Sequence, residues 1–270
     1  MAALRVAVAG LGAIGSRVAA ALDRGIEGLI LSAVAVRDRE AAQARIARLR
    51  ARPPVVPLAR LADDADVVVE CLPPAAFLEA ARPILERGGV LVPASVGALL
   101  AHEAECRRLA ARTGARIVVP SGAIVGLDGL RAAAEAGLEE VRMVTRKPPA
   151  SFGPEVRIED RAVATREIKE PVRLFAGSAR DAIRLLPVNV NVAAAVSLAG
   201  LGADRTTVEV WADPAVDRNH HEVHVRSAVG VFSVAVDNLP DPENPKTSAV
   251  TAYSIVAALR RLVEPLAVGS

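Results

Sequence analysis

The chain has 270 residues, 52% of them apolar, and a formal net charge of +2, enough for two ordinary domains with a sizeable buried core. No apolar run approaches the roughly 18–20 residues of a membrane span, and the opening MAALRVAVAG lacks the layout of a signal peptide, so a cytoplasmic protein without a membrane partner is expected. The 33 basic residues are scattered among only four Phe, one Tyr and one Trp, which leaves little for base stacking and argues against a nucleic-acid partner.

In chain order, Leu4–Ala9 reads as a short buried strand, and GLGAIG at 10–15 leads into a helix, Ser16–Arg24. Leu29–Val36 is the second strand, and Arg37–Glu40 opens the next helix. Arg45–Arg52 carries several arginines interleaved with Ala, Leu and Ile, which reads as a solvated helix face. Ala65–Cys71 is the third strand, Phe77–Arg87 a helix stopped by Gly88-Gly89, Val90–Pro93 the fourth strand, Leu99–Thr113 a helix and Arg116–Val119 the fifth strand. Unbroken Val/Ala/Ile strands alternating with helices predict a parallel sheet covered on both faces. Cys71 at a strand end and Cys106 on a helix make neither a disulfide framework nor a zinc set.

After residue 120 the pattern changes. Helices are expected at Asp128–Ala136, Ala176–Leu185 and Val190–Leu201, and strands at Glu140–Arg146, Ala164–Glu167, Thr206–Ala212, Glu222–Ala228 and Gly230–Val236. The last three alternate apolar and polar residues, as in a sheet with one less buried face. Thr247–Leu262 is a long amphipathic helix. The fold class is therefore α/β: an N-terminal Rossmann doubly wound parallel sheet over 1–120 and a second α/β (α+β) domain, expected to be the catalytic one, over 121–242. The C-terminal helix within 243–270 is expected, by analogy with other two-domain folds, to return to the first domain.

GxGxxG has its required context here, a buried strand before and a helix after. Gly10 allows the tight turn, Gly12 lets a pyrophosphate approach the backbone, and Gly15 lets the helix lie close to the strand. The free N–H groups of the helix start, at Ala13 and Ile14, then face the phosphates. At the end of the second strand, Asp38 suits the ribose hydroxyls of NAD, whereas Arg37 and Arg39 suit the 2′-phosphate of NADP. Leu72 and Pro73, at the carboxyl end of the third strand, are expected to line the same groove.

Three of the four histidines fall in NHHEVH at 219–224. Strand alternation sends His220 and His221 to opposite faces, which disfavours a metal site. A polar turn before a strand is one reading of this segment; a general acid/base displayed at a loop-to-strand junction is the other. Asn189 and Asn191 flank a helix start, so they either cap it or hold a carboxamide or substrate. SGAIVGLD at 121–128 is a Gly-containing turn at the domain boundary.

GLGAIG (10–15), PSGAIVGLDGL (120–130), TRKPP (145–149), FAGSARDAIRLLPVNVNVAAA (175–195), RNHHEVHV (218–225) and NPKTS (244–248) together resemble the L-aspartate dehydrogenase family over nearly the whole chain. The resemblance implies oxidative deamination of L-aspartate with NAD or NADP to iminoaspartate, then oxaloacetate and ammonia. It also implies a link to NAD biosynthesis and a homodimer or higher oligomer. It maps the catalytic histidine to His221, with His220 as the neighbouring alternative, and nicotinamide contacts to Ala123 and Asn189. A substrate with two carboxylates needs cations and donors, for which Lys147, Lys246, Thr247 and Ser248 are candidates. The rivals are a related dehydrogenase for another small dicarboxylic or amino-acid substrate, and a protein that senses NAD(P) without turnover.

Overall fold

The computed structural model describes residues 2–158, 161–186, 190–244 and 247–269. It divides into two compact units: residues up to Gly122 together with Thr251–Ala267, and Ala123–Val250 together with the last residues.

The first unit is built on β1 (Leu4–Ala9), β2 (Leu29–Ala35), β3 (Val67–Glu70), β4 (Val90–Pro93) and β5 (Arg116–Ile117). Their order is β2-β1-β3-β4-β5, and all the pairs are parallel. The crossovers carry α1 (Ala13–Arg24), α2 (Arg39–Ile46), α3 (Phe77–Glu86), α4 (Val96–Ala101) and α5 (Glu103–Thr113). Strands this short and this apolar pay their desolvation only when both faces are covered. Every residue of β3 is buried, as are Val6, Val8, Val34 and Val92. They pack with Val18 and Leu22 of α1 and with Ala252, Ile255 and Leu259 of the C-terminal helix in one core. The doubly wound parallel sheet read from the sequence is thus present. The chain runs from β1 outward to β2 and then back across to β3, which puts the switch point of the sheet between the carboxyl ends of β1 and β3, where such sheets bind ligands.

The second unit contains α6 (Leu127–Ala136), β6 (Leu138–Lys147), β7 (Glu155–Ile158), β8 (Arg161–Ala164), β9 (Val172–Ser178), α7 (Ala179–Leu185), α8 (Val190–Ala199), β10 (Thr207–Ala212), β11 (Asn219–Ser227) and β12 (Gly230–Asn238). The main sheet runs β12-β11-β6-β10-β9, mixed in direction, and β7-β8 form a separate ribbon. One face is apolar: Val141 and Met143 of β6, Val208 and Val210 of β10, and Val223 and Val225 of β11 pack against Leu130, Ala182 and Val196 of the three helices. The opposite face is polar and partly exposed. The chain closes with α9 (Val250–Arg261), assigned mostly to the first unit. Among the described residues no helix is long and apolar enough to cross a membrane.

Several elements differ from the sequence reading. Leu99–Thr113 is two helices, because the backbone turns at His102. The helix expected from Ala176 begins at Ala179: Ser178 is its cap, accepting from the Asp181 amide, and residues 172–178 pair with β10. Capping by a serine is a local signal, but sheet pairing is not. The strand expected at 164–167 ends at Ala164 and is followed by a tight turn in which Thr165 donates to the Gly153 carbonyl. Helix α2 stops at Ile46, so Arg48–Arg52 do not form a helix face; Arg45, its last basic residue, donates to the Leu11 carbonyl at 2.6 Å. Most consequentially, β11 begins three residues early, at Asn219. The histidines lie inside a strand and not at a loop-to-strand junction, because pairing with β6 and β12 outweighs their weak strand preference.

Candidate active site

The coenzyme side is built from the switch point upward. Gly10 has φ +89°, and a Cβ there would strike the Cys71 carbonyl and touch Leu72. A Cβ on Gly15 would collide with the Gly10 carbonyl. Neither collision is possible for glycine, so β1, α1 and the exit of β3 close up on one another. Around Gly12, by contrast, a Cβ would meet nothing within 4 Å. This open space lies at the amino end of α1, where Gly12 is the cap residue and the first turn contains no acidic side chain. An uncapped, unneutralised helix start with exposed backbone is suited to a pyrophosphate. Ala13 and Ile14 supply its first, partly exposed amides.

Leu72 and Pro73 follow β3 beside this loop, Leu72 half-buried and Pro73 exposed. Their backbone is held from below by Glu70, a fully buried carboxylate. It accepts from the Leu72 amide at 2.7 Å and from the Ser95 amide and hydroxyl at 3.1 and 3.0 Å. Burial pushes its pKa up, against these hydrogen bonds, which lower it. Sequence reading passed over Glu70; its signal was a charge at the end of a Val run. Arg37 and Asp38 are both exposed just past β2, while Arg39 is turned to the Val55 carbonyl at 3.2 Å. Asp38→Ala is expected to weaken NAD more than NADP in direct titrations; equal losses would mean that Asp38 does not touch the ribose.

The second unit brings together Thr145, Lys147, Asn219, His221, Asn238 and Ser248, all at most 6% exposed. Register explains why. His221 pairs with Thr145 across β11 and β6, and Asn219 with Asn238 across β11 and β12. Lys147 is two residues beyond Thr145, so the period of two puts it on the same face. The apolar face of the sheet therefore ends in a polar patch. Thr145 Oγ1 lies 3.0 Å from His221 Nδ1. Asn238 donates to the Ala123 carbonyl at 2.7 Å, and Asn219 to the Ser248 hydroxyl at 3.4 Å.

Burial dominates the electrostatics. It pushes the His221 pKa down to about 3, helped by the nearby charges of Lys147 and His220. It also pulls the Lys147 ammonium down to about 8. Burial is the one cause of that shift, with no ion pair or hydrogen bond among the described residues engaging the ammonium. His221 is thus a neutral ring at neutral pH, and Lys147 is the group that titrates just above it.

His221 also has a stability signature. The unfolded chain takes up a proton below about pH 6.5, while the folded ring stays neutral to about 3. Stability is therefore lost as pH falls through that window. Chemical denaturation at several pH values should show a shallower acid loss in His221→Asn than in the parent.

His220 points to the other, partly exposed face. Its nitrogens lie 2.9 Å from Asp237 and 2.7 Å from Glu222, which also binds His224 at 3.1 Å. Burial lowers its pKa, but these carboxylates outweigh burial and the net shift is upward. The structure separates the two histidines and puts only His221 in the buried patch. Among the described residues no group of three His, Cys, Asp or Glu is placed to hold a metal ion.

The other candidates fall differently. Asn191 is exposed in the first turn of α8. The Thr247 hydroxyl accepts from Asn244 within its own loop at 3.1 Å, so Ser248, not Thr247, reaches the patch. Asn189 and Lys246 lie outside the described residues. Thr145, Asn219 and Asn238 were not singled out from sequence: Thr145 looks like an ordinary strand residue, and Asn219 and Asn238 fall outside the strands expected there.

A dinucleotide-type Rossmann unit, followed in the chain by a mixed-sheet unit that buries an imidazole and an amine together, defines a two-domain nicotinamide-dependent dehydrogenase. Known proteins agree. Residues 10–120 match a family described as homoserine dehydrogenase, NAD binding domain, and residues 128–262 one described as aspartate dehydrogenase, C-terminal. The L-aspartate dehydrogenase of Bradyrhizobium diazoefficiens is 46% identical over 267 residues, 99% of this chain and 94% of that protein. That of Methanocella arvoryzae is 38% identical over 98% and 99% of the two chains. The crystal structure of aspartate dehydrogenase from Thermotoga maritima superimposes with a TM-score of 0.76 at 27% identity, covering 98% and 99%. The chain belongs to the aspartate dehydrogenase family.

Proposed function

We propose that this protein oxidatively deaminates L-aspartate with NAD or NADP, giving iminoaspartate and then, with water, oxaloacetate and ammonia. When bound, the nicotinamide supplies the hydride acceptor; Gly10, Gly12, Ala13, Ile14, Gly15, Leu72 and Pro73 would hold its dinucleotide. The chain's own residues handle protons. The observation that carries the reading is an amine, Lys147, with no counter-ion among the described residues, buried on the same sheet face as the neutral imidazole of His221.

Aspartate reaches the site as an ammonium and must shed a proton before its α-carbon can release hydride. Lys147, titrating near 8, accepts that proton and serves again as base when water adds to the imine carbon. Proton transfer is efficient when the acceptor's pKa is close to the working pH. The sequence reading gave this role to His221 because a free imidazole titrates near neutrality. A ring lowered to about 3 has lost that property, and His221 acts instead as a neutral hydrogen-bonding group toward the substrate.

The test is to incubate the purified protein with L-aspartate and each coenzyme and follow the absorbance of the reduced nicotinamide, with a panel of other L-amino acids as control. Reduction with L-aspartate far above the panel is expected. Coenzyme binding with no turnover of any amino acid would favour a sensing protein and sink the reading.

A further inference from the structure

The hydrogen bond behind His221 decides which of its nitrogens carries the proton. Nδ1 lies 3.0 Å from the Thr145 hydroxyl. Both residues are buried, Thr145 at 0% and His221 at 1% exposure, and they sit directly opposite each other in the strand register. A hydroxyl can donate or accept, so the distance alone leaves two arrangements. If Nδ1–H donates to Thr145, the hydroxyl proton needs another acceptor, and among the described residues the ring nitrogen is the partner this side chain has. That arrangement leaves an O–H unpaired in a buried position, which is the costlier one. A doubly protonated ring would strand the same hydroxyl and also place a cation beside Lys147 in a desolvated site.

We propose that the Thr145 hydroxyl donates to Nδ1 and holds the neutral ring as the tautomer with its proton on Nε2, so that His221 presents a hydrogen-bond donor to the substrate. Thr145 is then a positioning residue: it acts through His221. The contrast with a histidine base is chemical. A base histidine is backed by a carboxylate that accepts from Nδ1–H and leaves the Nε2 lone pair free for a proton. Here the backing group donates a hydrogen bond to Nδ1 and leaves a donor at Nε2. A donor matches an oxygen that carries negative charge, such as a substrate carboxylate or the deprotonated carbinolamine oxygen from which ammonia departs. This deepens the functional reading above, and it requires Lys147 to be the proton acceptor.

Long-range proton–nitrogen correlation spectra of the whole protein labelled with 15N-histidine test it directly. There are four histidines, and His221→Asn identifies the resonance. The expected result is a protonated Nε2 and an unprotonated Nδ1 for His221 around neutral pH. A protonated Nδ1, alone or with Nε2, overturns the proposal. Thr145→Ser should keep both the tautomer and most of the activity. Thr145→Val should redistribute the tautomer and lower kcat about 10–100-fold, the range seen when the hydrogen-bond partner of a metal-bound imidazole is removed, with coenzyme Kd unchanged. Wild-type kcat in folded Thr145→Val overturns the positioning role; should that variant not fold, the parent and serine spectra still decide the tautomer. The expected spectrum in a protein that never oxidises L-aspartate would uphold the hydrogen bond and remove the reaction instead.

Discussion

His221→Asn lowers kcat for L-aspartate oxidation by roughly 10²–10³, the loss seen when one preorganised donor at a reacting oxygen is removed, and leaves NADH affinity nearly intact. The two halves of this expectation come from different parts of the chain. The residues proposed to hold the coenzyme are the glycine loop and the exits of β1 and β3, all within the first unit. His221 belongs to β11 in the second. Asparagine is chosen because alanine would leave the buried Thr145 hydroxyl without a partner, a cost of about 1–3 kcal/mol that would blur activity with stability. The matched control is His220→Asn. His220 faces the opposite side of the sheet among Asp237 and Glu222, so its loss should leave kcat close to the parent value. Steady-state kinetics for turnover and fluorescence titration for NADH separate the two variants. Equal and small effects at both positions would remove His221 from the site.

The first unit was legible because its signals are local. An unbroken run such as Val67–Val69 suits only a strand covered on both faces, and Gly10 and Gly15 are imposed by carbonyls that leave no room for a Cβ. The C-terminal helix was legible as a helix from its period, and its membership of the first core followed from analogy. The second unit was harder because its order comes from pairing across the chain. Residues 176–178 read as the start of a helix until they are seen beside β10. Asn219, His220 and His221 have weak strand preference and join β11 only through β6 and β12. That same pairing decides everything in the candidate site. Lys147 in TRKPP looks like a surface lysine, and nothing local says that it faces inward. Only the alternation fixed by His221 opposite Thr145 puts it on the buried face. The chemical roles changed with it, since a free imidazole and a free amine have their ordinary proton affinities in a sequence, and burial alters both.

Lys147 is where substitution should cost most, and the choice of replacement separates two chemistries. Lys147→Met removes both charge and proton acceptor, so kcat should drop by roughly 10²–10⁴. Lys147→Arg keeps the positive charge but cannot shed a proton in the working range. A lysine that only anchors a substrate carboxylate would tolerate arginine better than methionine. A lysine that accepts the substrate's proton would not, and the expected result is that arginine is as inactive as methionine. The pH dependence has the corresponding sign. With a folded pKa of about 8, the neutral amine is the minor form at pH 7 and the major form at pH 9, so kcat/KM for L-aspartate should rise through that interval in the parent. Neither variant should show this limb. Folding stability responds in the same direction: between about 8 and the ordinary 10.5 the unfolded chain holds the proton that the folded one has lost, so stability rises with pH there and not in Lys147→Met. The two readouts are independent, because denaturation needs neither coenzyme nor substrate. A rising stability limb with a fully active arginine variant would keep Lys147 buried and titrating as described, but would give the proton to another group.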